Sequence, residues 1–112
     1  MCGICAYIGT KIAFGILYQG LQILQNRGYD SAGICTILEN EFILSKYATS
    51  PENSALNVLN MDKHKHKGTI GISHTRWATH GPKTKINAHP HHDINNKISV
   101  VHNGIIENYK DI

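Results

Sequence analysis

An α+β fold with mainly antiparallel strands is predicted by three features of this 112-residue sequence. Two apolar, β-branched runs flank the polar pair Glu39-Asn40, the pattern of a hairpin. The segment 11–26 repeats its apolar residues at helical spacing. Along the chain the readings follow as strand, helix, hairpin, helix, strand, loop and strand, with a further helix beginning at the end.

Each element has its own reason. CAYIG (5–9) reads as a short buried strand. From Lys11 to Asn26, Ala13, Ile16, Leu17, Leu21 and Leu24 fall on one helical face, and Gly28 supplies a stop. AGICTIL (32–38) and EFILSKY (41–47) form the hairpin. Ser50-Pro51 sets a capping side chain before a proline suited to a first helical position, which predicts a helix to about Met61. TIGISH (69–74) is a strand. Residues 75–97 are a polar connection with two prolines, several histidines and the only tryptophan, and a connection of that length is often functional. KISVVH (97–102) is a strand that turns at Asn103-Gly104, and IIENYKDI starts a helix. An order that stops in mid-element is expected of the first part of a larger unit.

Bulk properties narrow the function classes. With 41% hydrophobic and 17% charged residues the composition is that of one ordinary globular domain. A formal charge of +3 is mild, and the basic run KHKHK (63–67) lacks interleaved aromatics, so it reads as a solvated loop, not a nucleic-acid surface. The N-terminus has no basic start or apolar stretch of an export signal, and no run approaches the ~20 residues of a membrane span. Cys2, Cys5 and Cys35 are then expected as free thiols in the cytoplasm.

The chemistry begins at Cys2. Removal of Met1 would give one residue both a thiol and a free α-amine, with ordinary pKa values of about 8.5 and about 7.7–8.0. A neutral amine can take the thiol proton, directly or through water, and so activate a nucleophile without a separate histidine. The same cysteine lies in C-G-I-C, a spacing shared by zinc and thiol–disulfide motifs, but no second ligand pair follows and no strand precedes it. The histidines around 89–92 invite a metal reading that no fixed ligand spacing supports. Attack on an amide requires oxyanion donors. Asn103 offers a side-chain amide and Gly104 an unhindered N–H, though Asn-Gly is equally a plain turn. In HTRWATHG (74–81), Arg76 can grip a carboxylate through a planar fork, Trp77 can close over a ligand, and Thr79 and His80 can add donors. The plain reading is a surface arginine and a core tryptophan.

MCGIC-x-Y-I-G, NRGYDSAG (26–33), GISHTRWATHG (71–81), NAHPH (87–91) and VVHNGIIENY (100–109) occur in this order. Together they resemble the glutaminase domain of the class II glutamine amidotransferases, in the branch of isomerising glutamine–fructose-6-phosphate aminotransferases. The resemblance is weakest over 39–67. It implies a four-layer αββα sandwich of the N-terminal-nucleophile hydrolase type, present in part over residues 2–112 once Met1 is removed. It further implies that Cys2 attacks the carboxamide of glutamine, that Asn103 and Gly104 form the oxyanion hole, and that Arg76 holds the α-carboxylate. Trp77, Thr79 and His80 complete the pocket, and Arg27 and His89 support it. Glutamine is the small-molecule substrate implied, and the ammonia released serves glucosamine 6-phosphate formation from fructose 6-phosphate. No cofactor, metal, nucleic acid or membrane is implied. The remainder of the glutaminase domain and the sugar isomerase domains are the missing partners, in relatives expected to be homo-oligomeric. Cys5 replaces an aliphatic or small family residue, a packing change expected to be harmless. The competing expectation is a catalytically silent fragment with a binding or regulatory role.

Overall fold

The computed structural model describes residues 3–24, 30–76, 88–93, 95 and 98–101. Its frame is a four-stranded antiparallel sheet in the order β1-β4-β2-β3, built from β1 (Gly3–Ile8), β2 (Ser31–Leu38), β3 (Glu41–Ala48) and β4 (Ile70–Arg76). Helices α1 (Ala13–Leu24) and α2 (Ala55–Asn60) cover one face. A two-stranded ribbon, β5 (His91–His92) with β6 (Ser99–Val100), belongs to the segments that reach the other face. The fold class read from the sequence is therefore met: α+β, antiparallel, with helices segregated to one side.

The register explains the two faces. Ala32, Ile34 and Thr36 of β2 lie opposite Thr75, Ser73 and Gly71 of β4, and side chains alternate between faces along each strand. Ala32 and Ile34 join Phe14, Leu17 and Leu21 of α1 and Ala55, Leu56 and Leu59 of α2 in the core. Full burial of one such Leu or Phe contributes about 1.5–3 kcal/mol. Ser31, Gly33, Cys35 and Ile37 point the other way, toward the distal face. Six successive β2 residues, Ser31 to Thr36, are buried, because this inner strand is covered on both sides.

Helix α1 occupies the heart of the segment predicted for it. Its Ala13, Phe14, Leu17 and Leu21 are buried while Ile23 faces outward, as does Ile16, which the apolar period had placed on the buried face; Phe14 packs there instead. The 39–40 hairpin is also met, with Glu39 and Asn40 both at positive φ (52° and 67°) as a two-residue primed turn requires.

Four expectations are corrected. The second helix starts at Ala55, not at Pro51: Ser54 is its cap, accepting from the Asn57 N–H, while Ser50 accepts from the Asn53 N–H in a separate turn. Two serines compete for one role, and the one directly before the apolar run prevails. KHKHK is no plain solvated loop, since Lys63–Lys65 form a 3₁₀ turn and His66 is buried under the sheet. Arg76 ends strand β4, because its pairing with Ser31 extends the ladder two residues past the predicted end. Finally, part of the 75–97 connection is strand, and among the described residues of 97–102 the strand is Ser99–Val100, with Asp93 closing a turn between the two strands. Its Oδ1 accepts from the Ile98 N–H at 2.8 Å and its N–H donates to the Ile98 carbonyl at 3.0 Å. The expected turn at 103–104 and the helix after it lie outside the described residues.

Candidate active site

At the Arg76 end of β4 the sheet brings three chain segments together. Gly3, the first described residue of β1, pairs with Thr75. Ser31 pairs with Arg76 on the opposite side, and the Asp30 N–H donates to the Arg76 carbonyl at 2.6 Å. The Thr49 N–H in turn donates to the Asp30 carbonyl at 2.7 Å. Arg76 is thus held by backbone pairing, with its side chain buried on the distal face.

On that face the segment 88–92 lies against the sheet. Gly33 permits the approach. A Cβ there would stand 1.8 Å from the His89 carbonyl oxygen, so any side chain would push the segment away. Lys46, paired with Gly33 across the hairpin, donates from Nζ to the Ala88 carbonyl at 3.1 Å. The His89 ring stacks on His74 at 4.1 Å between centroids, and His91 tilts against His89 at 4.4 Å. His74 stands two residues from Arg76 on the same face of β4.

These neighbours fix the protonation. Burial first, then His74, His91, Arg76 and Lys46, push His89 down to about 3. Burial, Lys46 and Arg76 push His91 down as well. Near neutral pH both rings are uncharged, while Arg76 and Lys46 carry positive charge beside them. An arginine fork and a lysine among neutral rings form a region suited to a carboxylate.

Farther along the face, Cys35 lies 3.5 Å from Nε2 of His92. Burial raises its thiol pKa, and Ser99 offsets that only in part, which describes an inert thiol. Cys5 faces the helix layer, where its Sγ fills the space above Gly20. Both cysteines are free, and among the described residues no three His, Cys, Asp or Glu groups converge as ligands of a metal ion. Also among the described residues, no helix is long and apolar enough to cross a membrane.

Of the residues singled out by sequence, Arg76 and His89 are brought to one face. Cys2, Arg27, Trp77, Thr79, His80, Asn103 and Gly104 lie outside the described residues. Sequence reasoning missed Gly33, Lys46, His74 and His91. Hairpin register was a usable signal for the first two: with Glu39 and Asn40 at the turn, Gly33 must oppose Lys46. His74 follows from strand alternation, two residues before Arg76, whereas nothing local announced the stacking of His91.

No family model matches the chain. Curated relatives do. A glutamine–fructose-6-phosphate aminotransferase (isomerising) of Bacteroides thetaiotaomicron is 50% identical over 109 residues, covering 97% of this chain and 17% of its own length. One from Caldanaerobacter subterraneus subsp. tengcongensis is 55% identical over 111 residues, covering 97% and 17%. The chain therefore spans about one sixth of the relatives it matches. Among solved structures, a glutamine phosphoribosylpyrophosphate amidotransferase of B. subtilis, complexed with ADP and GMP, aligns with a TM-score of 0.64 and 27% identity. That alignment covers 86% of this chain and 20% of the other. The matched fold is that of an N-terminal-nucleophile hydrolase.

Proposed function

From the premise that this chain resembles part of the isomerising glutamine–fructose-6-phosphate aminotransferases, we propose that it carries the glutamine-hydrolysing chemistry of that enzyme class. The substrate is glutamine, held by its α-carboxylate on Arg76. Cys2 is the nucleophile. It is joined by one peptide bond to Gly3, and Gly3 pairs with Thr75 beside Arg76. This convergence of the chain start with the Arg76 end of β4 is the observation that carries the reading.

With Met1 removed, the α-amine of Cys2 takes the thiol proton and the sulfur attacks the side-chain carbonyl carbon. Asn103 and Gly104 supply the oxyanion donors, two and three residues beyond Val101. The amide C–N bond then breaks, the departing nitrogen takes up the proton as ammonia, and water hydrolyses the glutamyl thioester to glutamate. Trp77, Thr79 and His80 belong to the segment leaving Arg76 and complete the pocket. Lys46 and the stacked rings of His74, His89 and His91 hold the cationic face in shape, and Arg27 supports the N-terminal end. The setting is cytoplasmic. In the longer relatives the ammonia serves glucosamine 6-phosphate formation from fructose 6-phosphate, a step for which the remainder of the glutaminase domain and the sugar isomerase domains are needed.

A glutamine-mimicking electrophile tests this. Mass spectrometry should find one adduct on Cys2 of the processed chain, suppressed by excess glutamine and absent from Cys2→Ala. Adduct on Cys5 or Cys35 instead, or labelling indifferent to glutamine, overturns the assignment of the nucleophile. Labelling at Cys2 without glutamate release identifies the silent, glutamine-binding alternative.

A further inference from the structure

The basic run 63–67 lies on the helix-covered side of the sheet, away from the distal face, and the glutamine chemistry makes no use of it. Here the start of α1 and the segment 60–67 enclose an open cleft of about 550 Å³. Its floor is apolar. Phe14 lies beneath it, almost wholly buried with its ring stacked on His66 at 5.3 Å, and the apolar surface open to the cleft is that of Ile12 and Met61, both largely exposed. Its rim is cationic, formed by Lys63, His64 and Lys67. Lys65 is paired with Asp62, at 3.3 Å, whereas Lys63 and Lys67 form no ion pair among the described residues.

His66 fixes the chemistry of the floor. Its Nδ1 lies 2.8 Å from Thr36 Oγ1 and its Nε2 2.9 Å from Ser45 Oγ. Both ring nitrogens are engaged beneath the sheet and the ring is buried, so His66 presents no polar group to the cleft. The cleft thus has the volume of a small-molecule site, an apolar base and unneutralised positive charge confined to its lip. Gly15 lines it too, and a Cβ there would meet nothing within 4 Å.

We infer that this cleft binds a small organic anion that has a flat apolar body, the body lying against Ile12 and Met61 and the anionic group held by Lys63 and Lys67. A purely apolar ligand leaves the rim unused, and a bare inorganic anion leaves the floor uncovered. The recognised class is therefore the aryl or short acyl phosphate, sulfonate or carboxylate.

The test uses 1-naphthyl phosphate on the ¹⁵N-labelled full chain, followed by amide shifts. Saturable shifts are expected at Phe14, Gly15, Met61 and 63–67. 1-Naphthol and inorganic phosphate, added separately, should each bind at least about tenfold more weakly, since each satisfies only half of the site. Reversing both rim charges in Lys63→Glu/Lys67→Glu should weaken naphthyl phosphate by about tenfold or more. These side chains are exposed, so the fold is spared. Gly15→Leu should abolish binding by filling the open space while raising the melting temperature, because leucine replaces glycine inside a helix. That variant separates a blocked cleft from a failed fold. Naphthol binding as tightly as its phosphate, unchanged affinity in either variant, or shifts gathered at Ile4, Ile8 and Ile70 on the sheet would each overturn the inference.

Discussion

At the scale of single residues, charge and burial decide what each group can do. Arg76 is buried at a strand end, with its backbone fixed on both sides by Gly3–Thr75 and Ser31 pairing. Arg76→Lys should therefore leave the sheet intact and weaken glutamine protection of Cys2 by tenfold or more, because a point charge replaces a planar fork. Unchanged protection in the labelling assay removes Arg76 from the carboxylate site. His66 carries a different consequence. Burial lowers its pKa below the ordinary 6.5, with a smaller contribution from Lys65, while Asp62 opposes the shift. The folded state thus resists a proton that the unfolded state accepts. The stability this group contributes is present above about pH 6.5 and is lost as pH falls below it, by up to about 1.4 kcal/mol per pH unit. His89 and His91 are depressed too and act with the same sign. Melting temperature should fall between pH 7.5 and 5, and His66→Gln should flatten part of that slope. An unchanged slope in the variant would mean that His66 is not one of the groups responsible.

At the scale of elements, legibility followed how local the determining physics was. Helix α1 was readable because its apolar period and its buried face share Ala13, Leu17 and Leu21, although Ile16 of the predicted face is exposed and Phe14 is buried in its stead. The 39–40 hairpin was readable because two polar residues between β-branched runs leave few alternatives. The start of α2 was misplaced because Ser50-Pro51 and Ser54 both offer capping chemistry, and only packing of Leu56 and Leu59 into the core chooses between them. The face around Arg76 was legible in its arginine and His89 but not in Gly33 or His91. Their roles arise when 88–92 docks on the sheet, a contact about 55 residues distant in sequence from Gly33. The hairpin turn offers a clean check. Glu39 pays a conformational cost at φ 52° that glycine avoids, and the position is exposed. Glu39→Gly should raise the melting temperature by a few degrees, reflecting about 0.5–1 kcal/mol. A lowered value would show that the turn relies on an interaction of the glutamate side chain.

At the scale of the whole molecule, the two faces of the sheet are covered unequally. The helices seal one face with Phe14, Leu17, Leu21 and Leu59 almost wholly inaccessible. On the distal face the described segments 88–93 and 98–101 reach β2, β3 and the His74 end of β4, while side chains of β1 and the far end of β4 are exposed. There Ile4 is 42% exposed, Ile70 40% and Ile8 77%. Ile8 pairs directly with Ile70, and Ile4 stands opposite His74, so these side chains share one surface that leads toward Arg76. Among the described strands β1 is also an edge of the sheet. An apolar patch beside a strand edge favours association, either with a covering layer or with another copy. The chain by itself should therefore self-associate as its concentration rises, and glutamine should not reverse this, since the patch is separate from the carboxylate site. Ile4→Thr/Ile8→Thr/Ile70→Thr keeps β-branched residues in both strands but removes much of the apolar surface, so the sheet is retained and association weakens. Sedimentation velocity across a hundredfold concentration range, with circular dichroism as the fold control, measures both. A wild-type chain that stays monomeric throughout and melts cooperatively would mean that this sheet face is a finished surface rather than one awaiting a second layer.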